Sequence, residues 1–98
     1  MLFAVSYQFR PNTTEDTHKR VLTLFTNWQP PATYAFKAHY TCADGSGGLA
    51  LVETDSAMAA LEVHNTWAPF FEFKVVPVVE TEKAVQIGLS NIKWRESI

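Results

Sequence analysis

The side chains able to move protons near neutral pH are three histidines, His18, His39 and His64, joined by a single cysteine, Cys42. An imidazole changes charge between about pH 5 and 8, so each histidine is a candidate general acid, general base or metal ligand. His39 sits in an alternating stretch near Lys37, with Glu53 further along the chain. There it serves either as an acid or base or as a hydrogen-bonded interface residue. His39 and Cys42 lie three positions apart and point to opposite faces of a strand, which argues against a shared metal site. One cysteine builds neither an internal disulfide nor a thiolate zinc cluster, so no metal is expected and a reducing, cytoplasmic setting is the default. His18 and His64 fall on the apolar flanks of two helical stretches, where each either caps a core edge or faces a cavity between helices and sheet.

Aromatic side chains supply the second chemical signal. Tyr7, Phe36, Tyr40, Trp67 and Phe73, with Tyr34 and Phe71, are enough surface to line a pocket for a planar organic ligand, the phenols orienting it. Core packing on alternating strands accounts for the same residues. The candidate catalytic residues are therefore His39, His64, Tyr7 and Tyr40, and the candidate ligand-binding residues are Tyr7, Phe36, Tyr40, His64, Trp67 and Phe73. Glu53 interrupts an apolar run, and a carboxylate there is expected to pair with Lys37 or Lys74 across a sheet.

The elements that must position these groups follow from periodicity. Residues 2 to 9 are almost all apolar and end at Arg10-Pro11-Asn12, which reads as a strand covered on both faces. Asn12 and Glu15 have capping-box spacing, so a helix is expected to start there, with His18, Val21, Leu22, Phe25 and Trp28 on one face and Pro30-Pro31 closing it. From Thr33 to Cys42, Tyr34, Phe36, Ala38 and Tyr40 alternate with Ala35, Lys37, His39 and Thr41. The glycine-rich turn ADGSGG then leads into LALVET, and the two strands form a hairpin. Asp55 or Ser56 caps a second helix, running through Met58, Leu61 and His64 to Trp67 and stopped by Pro69. A fourth strand spans Phe70 to Val79, and a short helix is expected from Thr81 to about Leu89, weakened by Gly88.

The resulting order, β-α-β-β-α-β, is the split βαβ or ferredoxin-like α+β unit with a four-stranded antiparallel sheet. It occupies residues 1–98 as one domain, with a core of about 1–80 and a C-terminal extension over 81–98. The first and third strands are expected to lie parallel in the middle, and the second and fourth, carrying Lys37, His39, Glu72, Lys74 and Pro77, at the edges. Two helices cover one sheet face only. The other, expected to carry His39, needs the C-terminal segment or a second subunit.

Composition supports a partner. Charged residues make up 18% of the 98 residues, against about 25% in a typical soluble domain, while aromatics reach 13%. A chain this short buries a limited fraction of its surface, so surplus apolar side chains meet a partner or line a cavity. The net charge of −2 gives no broad attraction to nucleic acid or anionic membranes. The N-terminal apolar run is too short to span a membrane. RNA-recognition motifs share this element order, yet here Leu49, Leu51 and Thr54 occupy the positions that stack bases, so nucleic-acid binding is not expected.

The opening LFAVSYQFRP, the ADGSGG-x-x-LVETD stretch from Ala43 to Asp55, and the ending from Trp67 through Phe71-Glu72-Phe73-Lys74-Val75-Val76-Pro77-Val78 resemble the domain-of-unknown-function 3303 family over about residues 1 to 85. The resemblance implies a dimeric α+β barrel, two four-stranded sheets packed face to face. Wider relatives of that fold include cofactor-independent monooxygenases, muconolactone-type isomerases, haem-using enzymes and ligand-binding stress proteins, so the fold selects no activity. The expectation is a homodimer that binds a small hydrophobic or aromatic molecule between sheet and helices, with no cofactor required and haem not excluded. The alternatives are a cofactor-independent monooxygenase or isomerase-like enzyme, and a purely structural or regulatory dimerisation module.

Overall fold

The computed structural model describes residues 1–98. The elements are β1 (Leu2–Phe9), α1 (Glu15–Thr26), β2 (Ala35–Thr41), β3 (Gly47–Glu53), α2 (Ala57–Trp67), β4 (Phe71–Pro77) and α3 (Thr81–Glu96). Four strands form one sheet in the order β2-β3-β1-β4, and all three pairings are antiparallel. This is a ferredoxin-like α+β fold. β1 and β3 occupy the centre as expected, but they run antiparallel, not parallel. The crossover from β1 through α1 leaves a gap beside β1, and the hairpin folds β3 back into it, reversing its direction.

Local chemistry sets the element boundaries. Thr14, not Asn12, caps α1: its Oγ1 accepts the Thr17 amide at 3.2 Å, and Glu15 and Asp16 fill the first turn. Asn12 instead turns the chain before the helix, with a φ of 65° that asparagine tolerates better than most residues. Ser56 caps α2 by accepting the Ala59 amide at 3.1 Å. In the β2–β3 turn, Gly45 takes a φ of 76° and Asp44 Oδ1 accepts the Ser46 amide at 3.0 Å. Hydrogen bonding from Ser46, its side chain first and its backbone amide second, holds the Asp44 carboxyl below its usual range. Glu53 does pair, but with the amino group of Met1 at 2.7 Å and not with a sheet lysine.

Alternation along β1 sends Phe3, Val5, Tyr7 and Phe9 to the face beneath α1 and α2. There Val5, Ala50, Val52 and Phe71 from the sheet meet Val21 of α1 and Ala59, Val63 and Trp67 of α2. With Tyr34, these make nine buried hydrophobic residues, a small core for a chain in which Leu49, Val75 and Val76 stay exposed.

The opposite face has no cover within the chain. It carries Ala4 and Ser6 of β1, Leu49 and Leu51 of β3, Ala38 and Tyr40 of β2, and Lys74 and Val76 of β4. α3 does not lie on it: the helix is longer than its sequence suggests, continues through Gly88 to Glu96, and has no buried residue. A long axis of 60 Å and a radius of gyration of 17.5 Å, against about 13 Å for a compact chain of this length, show α3 projecting from the body. No helix is long and apolar enough to cross a membrane.

Glu82 in the first turn of α3 and Lys93 and Arg95 in the last complement the helix dipole. A methyl group at Gly88 would meet nothing. Gly88→Ala is therefore expected to favour α3 by about 0.8–1 kcal/mol, read as slower amide hydrogen exchange across α3 with an unchanged global unfolding midpoint.

Candidate functional site

The site begins with a glycine. Tyr7 on β1 stands opposite Gly48 on β3, and a side chain at Gly48 would collide with the Tyr7 hydroxyl and with the Tyr40 carbonyl. The missing side chain leaves a notch, through which the Tyr7 ring passes over β3 to β2. There its Oη lies 2.6 Å from Nε2 of His39.

His39 reaches that face through a break in alternation. The β2–β3 register shifts between Phe36 and Ala38, so one extra residue on β2 bulges at Lys37. Phe36, opposite Val52, and His39, opposite Ala50, then share the face beneath the helices although they are three residues apart. Their rings stack, with centroids 5.1 Å apart and planes at 18°. Phe25 of α1 approaches His39 edge-on at 6.0 Å, and Phe71 approaches Tyr7 edge-on at 5.0 Å. The expectation that His39 points to the uncovered face is overturned by this bulge.

Around the pair lies a cavity of about 300 Å³ between α1 and the sheet. Its walls include Phe25, Trp28, Phe36, Trp67 and Phe73, and no Asp, Glu, Lys or Arg lines it. Trp28 and Trp67 meet edge-to-face at 5.3 Å and close one side. Leu22 and Phe25, 58% and 48% exposed, stand at the opening, and His18 stacks on Phe9 at 4.8 Å. A wider, shallow hollow between α2 and the Pro31 loop has no aromatic lining and one titratable side chain, Glu62.

Electrostatics keep the pair neutral. Burial, and secondarily the charge of an ionised Cys42, push the Tyr7 phenol above its ordinary value. Burial pushes the His39 imidazole below its ordinary 6.5. The single proton between them therefore sits in either of two arrangements, with Tyr7 donating to an unprotonated Nε2 or a protonated Nε2 donating to Tyr7. In the first the phenol oxygen can accept from a ligand; in the second its hydroxyl can donate to one.

A depressed histidine pKa has a sign in stability. The unfolded chain takes up the proton more readily, so the contribution of His39 is fully present above about 6.5 and is lost as the pH falls through the folded value. Unfolding titrations are expected to show lower stability on acidification below pH 6.5, and His39→Gln is expected to flatten that part of the profile.

Of the residues singled out by type and spacing, the structure brings together Tyr7, His39, Phe36, Trp67 and Phe73. It leaves Tyr40 on the uncovered face, 65% exposed, because the bulge puts it out of phase with Phe36 while it alternates normally with His39. His64 lies on the outer flank of α2, its ring 5.3 Å from Phe73 and outside the cavity. No three His, Cys, Asp or Glu side chains converge as a metal site would require. Phe25 and Trp28 are cavity walls that helical spacing identified only as an apolar stripe, and Gly48 carried no signal beyond belonging to a turn-rich stretch.

No curated protein matches the chain. A family model described as a domain of unknown function, DUF3303, matches residues 1–92, a span that includes every element forming the cavity and most of α3. The chain belongs to the DUF3303 family.

Proposed function

We propose that this protein is a homodimeric binding module that takes a small aromatic molecule into the cavity between α1 and the sheet. The observation that carries this reading is the Tyr7–His39 hydrogen bond, a polar pair in an otherwise largely apolar, ring-walled space. Ligand sites have that composition: apolar walls for affinity and few polar groups for orientation. The uncovered sheet face, with exposed Leu49 and Val76 beside half-buried Leu51 and Ala4, supports pairing with a second copy, sheet against sheet. The lone Cys42 supports a reducing, cytoplasmic setting.

A thermal-shift screen of small aromatic compounds tests the cavity. A ligand present at 100 times its Kd stabilises the native state by about 2.7 kcal/mol, which raises the Tm of a domain this size by about 10 °C or more. No shift with any compound at millimolar concentration would oppose the reading.

The same hydrogen bond favours a second reading, an isomerase-like enzyme in which the pair moves a proton within the bound molecule. Turnover of a bound carbonyl compound, seen as solvent deuterium entering its α-carbon and abolished in Tyr7→Phe, would separate catalysis from binding.

A further inference from the structure

The cavity's chemistry narrows its ligand further, on the premise that it is a binding site. Its lining holds no Asp, Glu, Lys or Arg, and of its two histidines His39 is bound to Tyr7 and His18 is stacked on Phe9, so an ionic group carried inside would lose its hydration with no permanent counter-ion to replace it. The walls are flat rings: Phe36 lies against His39, Trp28 meets Trp67 edge-on, and Phe25 and Phe73 stand at the sides. Such walls suit a flat arene by offset stacking and edge contacts. A volume of about 300 Å³ is at the small end of ligand sites, which limits the guest to one or two fused rings.

The floor defines the substituent. Tyr7 Oη and His39 Nε2 share one proton at 2.6 Å, and reversing that hydrogen bond turns the phenol from acceptor to donor. We infer that the cavity selects uncharged arenes bearing one hydroxyl or one ring-conjugated carbonyl, and gives arene carboxylates no advantage over the bare ring. A hydroxyl donates to the Tyr7 oxygen while Tyr7 donates to Nε2. A carbonyl accepts from the Tyr7 hydroxyl while Nε2–H donates to Tyr7. A carboxylate finds no cation on the floor, and one turned outward to water leaves the pair unengaged.

Calorimetric titration of the full chain with four bicyclic probes, 2-naphthol, 1-tetralone, 2-naphthoate and naphthalene, tests this selectivity. The expected result is similar affinity for 2-naphthol and 1-tetralone, each about tenfold above naphthalene, as one added hydrogen bond predicts. 2-Naphthoate binds no more tightly than naphthalene. In Tyr7→Phe, the preference for 2-naphthol over naphthalene is lost. The wild-type ranking stands as a test by itself should that variant fold poorly. 2-Naphthoate binding as tightly as 2-naphthol, or 2-naphthol no better than naphthalene, overturns the inferred selectivity and leaves the cavity as a binding site. Failure of all four probes to bind overturns the binding reading as well.

Discussion

Trp67→Ala is expected to remove about 3–5 kcal/mol of stability, a large share of the roughly 5–15 kcal/mol that holds a typical domain folded. Trp67 is 6% exposed at the last turn of α2, and its ring meets Trp28 at 5.3 Å, Phe25 at 6.1 Å and Phe71 at 6.3 Å. Truncation forfeits the transfer energy of the indole and leaves a void that neighbours from α1, the loop after it and β4 fill incompletely. Equilibrium urea unfolding gives the value from the shift in midpoint at constant slope. A loss under about 1 kcal/mol would mean that α2 does not anchor the cavity wall as described. Because Trp67 also faces the cavity, a folded Trp67→Ala chain is expected to lose selectivity for ligand shape.

The second large effect concerns the uncovered face. Leu49 lies on the central strand β3, opposite Ser6 of β1 and Tyr40 of β2, and is 50% exposed. In a two-fold interface one substitution appears twice, so Leu49→Asp places two carboxylates in the proposed apolar contact with no cation supplied for either. The expected result is a dimer-to-monomer change in sedimentation velocity at micromolar concentration, with far-ultraviolet circular dichroism preserved. A wild-type chain that already sediments as a monomer contradicts the sheet-to-sheet assembly. So does a Leu49→Asp chain that remains dimeric.

The strands, their order and the central place of β1 and β3 were legible because apolar runs and alternation report burial directly, and the glycine-rich turn marks a hairpin. Direction was less so: the parallel reading of β1 and β3 followed the crossover rule but not the geometry of the hairpin that fills the gap. The site was half legible. Tyr7, Phe36, His39, Trp67 and Phe73 stood out by residue type. Their meeting depends on two features that leave no compositional trace, the bulge at Lys37 and the notch at Gly48. The bulge changes which residues share a face, so strict alternation grouped Tyr40 with Phe36 and separated His39 from it. Gly88 weakens a helix and argues for an end near Leu89, yet the favourable end charges and the run from Val85 to Trp94 carry α3 through to Glu96.

Tyr7 and His39 form the floor of the proposed ligand cavity beneath α1. The most direct test is isotope-edited nuclear magnetic resonance of the labelled chain with 2-naphthol, recording the His39 ring nitrogens and nuclear Overhauser effects between ligand and side-chain protons. Binding in this cavity predicts a shifted His39 Nε2 resonance and Overhauser contacts from the ligand to the rings of Tyr7, Phe25, Phe36 and Phe73. An unchanged His39 ring, with ligand contacts instead to Tyr40, Leu49 and Val76 on the uncovered face or to Trp94 on α3, would contradict it.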